Sequence, residues 1–530
     1  MRVFWYNEGM KTDATMVTIP KTEYEELLVL KEQNAELTQK VEWLMGQFRL
    51  AQHRRFGAST EKSAYDQIAL FDEAEAVADE TAPEPELVEV EKHFRQRKRL
   101  VNDRLPEELP VEVVEHDLPV EEQVCPKCKG SLHIMGRDTR RELVIIPAQA
   151  KIREHVCLVY GCRCCEQKGI EATIINAPMD EPVIKGSFAS PEAIAHIMTQ
   201  KFVMGSPLYR QEQDWNRQGI MLSRQTMSNW LIRATEDYLE PVYDALKKLL
   251  LQHDTLHADE TTLQVLREPG KPAQSQSYMW LYRTSGTTHT PIVLYEYQPN
   301  RRAEHPAKFL KDFKGYLHAD GYEGYHSLDD IIVVGCWQHL RRKFDEALKA
   351  LPNKDRNGSK AARGKQYCDR LFELERTFAE LPPEERFAKR LTLAKPVIDE
   401  LYAWLEGMTV LPKMPMGVAK QYAMNQRTYL ENYLLDGRLE LSNNRAERSI
   451  KPFVIDRKNF LFANTPRGAK ASAVMFSIIE TAKENNLNPF VYLSYIFQYA
   501  PNWDIRNNDT LLNQLLPAFV PDSCKNPTPR

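Results

Sequence analysis

Between residues 24 and 51 the apolar side chains Leu27, Leu30, Leu37, Val41, Leu44 and Phe48, with Asn34 among them, recur at alternating steps of three and four. That is the a/d seam of a heptad repeat, and it predicts a leucine-zipper-like coiled coil over 20–62. Asn34 takes an a position, where a buried polar pair fixes register and favours dimers. One amphipathic helix packed on its own domain is the alternative. The pattern then lapses. Residues 63–115 are acidic and Ala-rich, carry Pro83, Pro85, Pro106 and Pro110, and read as a charged linker that buries too little apolar surface to fold alone. Helical spacing returns over 183–250. There Leu208–Gln218, Gly219 and Ser223–Arg233 have the layout of a helix-turn-helix, with Ser223 as N-cap and Trp230 and Leu231 turned inward. Arg224, Gln225, Ser228 and Asn229 are then left for DNA, although a helical hairpin that only packs fits the same residues.

From Thr255 the period changes to that of strands. Leu256–Leu266, Gln276–Thr284 and Pro291–Tyr297 are rich in β-branched and aromatic residues, with turn residues between them. A helical stretch over Ala303–Phe313 follows, then a strand Tyr316–Asp320, the apolar run Ile331–Cys336 and a helix from Trp337 to Leu348. This order predicts an RNase H-like α/β core in two pieces, 251–349 and 441–485, interrupted by a helical insertion over 350–440. A C-terminal helical element and tail occupies 486–530. The expected class is multidomain α+β.

A chain of 530 residues has room for several domains. No stretch of about 18 apolar residues occurs, so no membrane span is expected, and the cytoplasm, beside the nucleoid, is the expected location. The net charge of -4 does not argue for a nucleic-acid partner, but the charges are segregated. Residues 72–91 hold nine acids and no base, whereas Lys92, Arg95, Arg97, Lys98 and Arg99 follow at once. Residues 445–470 carry seven bases against Glu447 and Asp456, enough for a local phosphate-binding surface. The pairs Cys125–Cys128 and Cys162–Cys165 offer four thiolates at the spacing that wraps one tetrahedral zinc ion, within a zinc-binding domain over 116–175. Cys157 and Cys164 are spare thiols beside them, and the strands Glu142–Ile146 and Ile152–Val159 fit between the knuckles.

The tetrapeptide Leu-His-Ala-Asp occurs twice, ending at Asp259 and at Asp320. Alternation along a strand sets His257 on the same face as Asp259, and His318 on that of Asp320. Two carboxylates on neighbouring strands suit Mg²⁺ or Mn²⁺; singly, each could be an ordinary turn aspartate. A third acid would complete a two-metal site, and Glu447 is the candidate, in Ser442-Asn-Asn-Arg-Ala-Glu447-Arg with Ser442 as a helix cap. A surface pair of Glu447 with Lys451 accounts for the same pattern. Glu260 is a poorer ligand, because an adjacent strand residue points away from Asp259, and Glu480 has fewer bases around it.

Several blocks together resemble the transposase of insertion-sequence family 66 over nearly the whole chain. They are Arg55-Phe-Gly-Ala-Ser-Thr-Glu-Lys62, the cysteine knuckles, Pro207-Leu-Tyr-Arg-Gln211, His257-Ala-Asp-Glu-Thr261, His318-Ala-Asp-Gly-Tyr322 and Cys336-Trp-Gln-His-Leu-Arg-Arg-Lys-Phe344. The most specific runs from Ser442 to Arg448, through Arg457-Lys-Asn-Phe-Leu-Phe462, to Ile479-Glu-Thr-Ala-Lys-Glu-Asn485. The resemblance implies a DDE transposase with Asp259, Asp320 and Glu447 binding two Mg²⁺ or Mn²⁺ ions, cutting transposon ends and joining them to target DNA. It also implies one structural zinc, double-stranded DNA as partner, a homodimer or higher oligomer, and room for accessory proteins of the same element. His339, Arg341, Arg342, Lys343, Arg445, Arg448, Arg457 and Lys458 become candidate phosphate contacts as a cluster. A non-catalytic zinc-containing DNA-binding regulator, or an RNase H-like nuclease without strand transfer, are the competing readings. The first leaves both His-Ala-Asp repeats idle.

Overall fold

The structure, a computed structural model, describes residues 20–56, 150–161 and 174–527. Two compact units divide the chain, Ser59–Pro178 and the remainder. The linker over 63–115 and the cysteines Cys125, Cys128, Cys162, Cys164 and Cys165 lie outside the described residues. In the smaller unit β1 (Val159–Gly161) pairs antiparallel with β2 (Ile174–Asn176). The strand expected from Ile152 runs only from Val159, with the Leu158 carbonyl also accepting the Ala177 N–H at 2.9 Å. The Cys157 thiol donates to the Ala177 carbonyl at 3.1 Å.

The larger unit begins with α1 (Lys21–Phe56), a 36-residue helix supported by an Glu36–Lys40 pair at 2.7 Å. The seam residues Leu27, Leu30, Leu37, Val41, Leu44 and Phe48 are each at least 51% exposed, so this helix does not spend its apolar stripe on its own domain. Helices α2 (Pro191–Phe202), α3 (Leu208–Arg217) and α4 (Arg224–Ala234) follow. Between the last two, Gly219 adopts a φ of 78°, and the Ser223 hydroxyl accepts from the Thr226 N–H at 3.1 Å to start α4. Trp230 and Leu231 are buried, while Arg224, Gln225 and Asn229 are exposed. A π-helical turn, Thr235–Leu239, leads into α5 (Glu240–Leu250).

The sheet contains β3 (Thr255–Gln264), β4 (Gln276–Thr284) and β5 (Val293–Gln298), then, after α6 (Glu304–Phe309), β6 (Gly315–Ala319) and β7 (Ile331–Gly335). Its order is β5–β4–β3–β6–β7, antiparallel from β5 to β3 and parallel from β3 to β7. The central β3 is therefore flanked on both sides. At Gly315 the start of β6 approaches β3 so closely that a Cβ would lie 2.2 Å from the Asp254 carbonyl oxygen, and φ is 143°; only glycine fits.

After β7 comes α7 (Trp337–Lys349), whose Trp337, Leu340 and Phe344 join a separate core with α8 (Lys360–Thr377), α9 (Lys395–Glu406) and α10 (Pro415–Asn425). The helices of 350–440 thus rest on the helix that leaves the sheet. The chain returns through α11 (Asn444–Phe460), α12 (Pro466–Glu484) and α13 (Pro489–Tyr499). An exposed sheet edge invites foreign strands. At β5 this edge is closed by α12: the Tyr295 N–H donates to Ser477 at 2.7 Å and the Val293 N–H to Thr481 at 3.0 Å. The Thr481 hydroxyl returns a bond to the Val293 carbonyl at 2.9 Å.

Candidate active site

Where β3 and β6 run in parallel, His257 stands opposite His318. The two rings are buried and stack with centroids 4.3 Å apart and planes 12° from parallel. Strand alternation then carries Asp259 and Asp320, each two residues further on, to one side of the sheet at its carboxyl end. The His318 imidazole is pushed well below its usual range by burial and then by the neighbouring His257. Its neutral Nε2 accepts the Glu440 N–H at 3.2 Å.

The third acid arrives from far along the chain through Asn443, which is 1% exposed. Its side chain meets His257 Nδ1 at 2.9 Å and donates to the Ala258 carbonyl at 2.8 Å, while its N–H donates to Cys336 Sγ at 3.1 Å. Asn443 thereby ties the first turn of α11 to β3 and to the end of β7, and Glu447 lies one turn further along α11. Ser442, expected to cap this helix, does not. Asn443 holds the N-cap position, and its side chain is turned to the sheet rather than to the helix.

Burial, and then the charges of Glu260, Asp320 and Glu447, push the Asp259 carboxyl well above the usual carboxylate range. Asp259, Glu260, Asp320 and Glu447 are near enough for their charges to act on Asp259, and carboxylate oxygens are the ligand type that a hard divalent cation takes. Glu447 differs: burial would raise it, but His339 and Arg342 outweigh burial and hold it below its ordinary value. Arg342 Nη2 lies 3.3 Å from Oε2. His339 Nε2 lies 2.9 Å from Oε1 but out of line for a hydrogen bond, so that buried oxygen keeps no aligned donor. A buried carboxylate oxygen without an aligned donor is a suitable cation ligand. The partners of Glu447 are on α7, and the alternative surface pair with Lys451 is not formed.

Glu260, set aside in the sequence as pointing away from Asp259, nonetheless belongs to this cluster. Its side chain is 1% exposed, accepts from Tyr325 at 2.6 Å and from Arg301 Nε at 2.8 Å, and raises its neighbour Asp259. Arg301 also lies 3.9 Å from Asp320 and 4.1 Å above the Tyr322 ring. Glu480 is elsewhere, paired with Lys483 at 2.7 Å on α12.

Not all of the basic residues expected at phosphates are free for them. Arg457 is half-buried and donates to Thr262 Oγ1 at 2.9 Å, because it ties α11 to β3. Arg341 pairs with Asp369 at 2.5 Å, Arg445 with Glu440 at 2.9 Å, and Lys343 reaches Glu346 at 3.8 Å. Arg342, Arg448 and Lys458 are exposed around the acids or along α11. Arg224 lies 3.8 Å from Glu212 and, like Gln225, stays open to solvent. Sequence reasoning missed Asn443, Glu440 and Arg301. The tandem Arg301-Arg302 in the turn after β5 was the one local signal among them.

The chain matches the family described as Transposase IS66 family over residues 186–471. Residues 122–166 match the zinc-finger binding domain of transposase IS66, 43–114 match Transposase C of IS166 homeodomain, and 477–517 match the IS66 C-terminal element. Among curated relatives, uncharacterized protein y4hP of Sinorhizobium fredii is 31% identical over 79% of this chain and 77% of its own. Uncharacterized protein y4jD of the same organism is 28% identical over 77% of this chain and 80% of its own.

Proposed function

The chain belongs to the IS66 family of transposases, and from that premise we propose that Asp259, Asp320 and Glu447 form the metal-binding triad of a DDE transposase. The reaction is cleavage at transposon ends followed by strand transfer into target DNA. The sheet order β5–β4–β3–β6–β7, antiparallel and then parallel, supports an RNase H-like core. The reading is supported by Asp259, a buried carboxyl held above the usual carboxylate range by burial and by the charges of Glu260, Asp320 and Glu447. Two divalent ions, Mg²⁺ or Mn²⁺, would be held by these three side chains and would supply Lewis-acid stabilisation to the attacking and leaving phosphodiester oxygens. The protein's own part is to hold the carboxylates in place: the His257–His318 stack and Asn443 set them, and Glu260 fixes Arg301 beside Asp320. Arg301 and Arg342 border the acids and are suited to neighbouring phosphates.

The finer assignments follow the same reading. One structural zinc binds Cys125, Cys128, Cys162 and Cys165, and Arg224 and Gln225 of α4 contact double-stranded DNA. The seam of α1 joins a second copy, beside the nucleoid. Among the described residues no helix is long and apolar enough to cross a membrane.

Asp259→Asn, Asp320→Asn and Glu447→Gln should each abolish Mg²⁺-supported cleavage and strand transfer while retaining folding and end binding. Glu480→Gln should keep the activity. Strand transfer by purified Glu447→Gln at the wild-type rate overturns the triad, and cleavage without joining by the wild type would favour a nuclease.

A further inference from the structure

Cys336 closes β7 at the N-cap of α7, and His339 follows it by three residues, one turn along the same helix face. Both face Glu447. One ligand atom from each of Cys336, His339 and Glu447 lies within 4.8 Å of the others. In a tetrahedral zinc site, bonds of about 2.0–2.3 Å set neighbouring ligand atoms roughly 3.3–3.7 Å apart. The three side chains therefore need only small movements to surround an ion. The geometry points to an alternative metal site here, formed by Cys336, His339 and Glu447, sharing Glu447 with the triad and selective for Zn²⁺ over Mg²⁺.

The selectivity follows from the donors. A thiolate and an imidazole are soft and borderline ligands that Mg²⁺ avoids and Zn²⁺ prefers. Among the described residues three protein ligands are present, so a fourth position stays open, as in catalytic rather than closed structural zinc sites. Cys336 Sγ is oriented from behind by the Asn443 N–H at 3.1 Å, and the ion has access from the side of His339 and Glu447, whose side chains are 24% and 30% exposed. Binding displaces the Cys336 thiol proton to solvent as the sulfur–zinc bond forms. The consequence rests on the triad reading: Glu447 engaged by zinc is withdrawn from the catalytic pair, so zinc inhibits the Mg²⁺-supported reaction.

Co²⁺ is the spectroscopic probe, added to full-length protein whose cysteine knuckles already hold zinc. Apart from any cobalt on the triad carboxylates, one ion per chain is expected to show a thiolate-to-cobalt charge-transfer band, which is lost in Cys336→Ser. His339→Gln, a partly exposed position, should weaken the added ion by about tenfold or more, since even outer-shell changes at metal sites cost that much. Zn²⁺ inhibition of strand transfer, scaled to each protein's own zinc-free rate, should need proportionately more zinc in His339→Gln. A wild type without the band, a band unchanged in Cys336→Ser, or equal cobalt affinity in His339→Gln overturns the site. These outcomes are independent of the triad, which fails only if Glu447→Gln remains active.

Discussion

Asn443→Ala tests the architecture of the site without touching a carboxylate. The substitution removes the bond to His257 Nδ1 at 2.9 Å and the bond to the Ala258 carbonyl at 2.8 Å, and it leaves both partners buried. An unsatisfied buried polar group costs about 1–3 kcal/mol, so the two together cost roughly 2–6 kcal/mol. The N–H bond to Cys336 survives, because it belongs to the backbone. The helix start that carries Glu447 then loses its tie to the strand that carries Asp259. Misplacement of a reacting group by about 1 Å can cost on the order of 100-fold in rate. Urea denaturation should therefore show a lower midpoint with an unchanged slope, and strand transfer should slow by about 10- to 100-fold with end binding retained. A wild-type midpoint together with wild-type strand transfer would refute the idea that Asn443 assembles the site.

Leu37→Pro should dissociate the oligomer in sedimentation, since proline inside α1 costs about 3 kcal/mol or more and every seam residue is exposed in the single chain; an unchanged oligomer would remove the zipper role. A Cys125→Ser, Cys162→Ser double variant should lose one zinc per chain by metal analysis, and full retention would place the metal on other ligands. Asp456 supplies a pH signature. Burial, against the pull of Lys483 and Lys201, raises its carboxyl to about 7. The folded state then holds a proton that the unfolded chain gives up near pH 4, so this group lowers stability as pH rises from about 4 to 7. Asp456→Asn should gain up to about 4 kcal/mol above pH 7 and almost nothing near pH 4. The same gain at both pH values in urea denaturation would rule this out.

Much of the site was legible as local pattern. The doubled Leu-His-Ala-Asp, the strand period around it and the basic block from Arg445 each express a short-range rule, side-chain alternation or helical spacing, that needs no partner to be read. The heptad over α1, the Gly219 turn and the Ser223 cap belong to the same class. What was not legible depends on residues far apart in the chain. Asn443 and His257 are separated by 186 positions, and nothing local distinguishes an asparagine that caps its own helix from one that reaches a strand. Ser442 and Asn443 are equally good caps by type, and packing of α11 on β3 set the helix start at Asn444. Arg457 looked like a phosphate ligand from its charge alone; its burial against Thr262 is a property of the packed sheet. Glu260 shows the converse. Alternation turns it from Asp259 within the strand, yet Arg301 and Tyr325 bring a buried carboxylate back into the electrostatics of the site. Period and residue type thus determined the elements and the chemistry available to this protein. Only the tertiary structure decided which charges meet, because electrostatic strength depends on distance and burial, and neither is a property of sequence position.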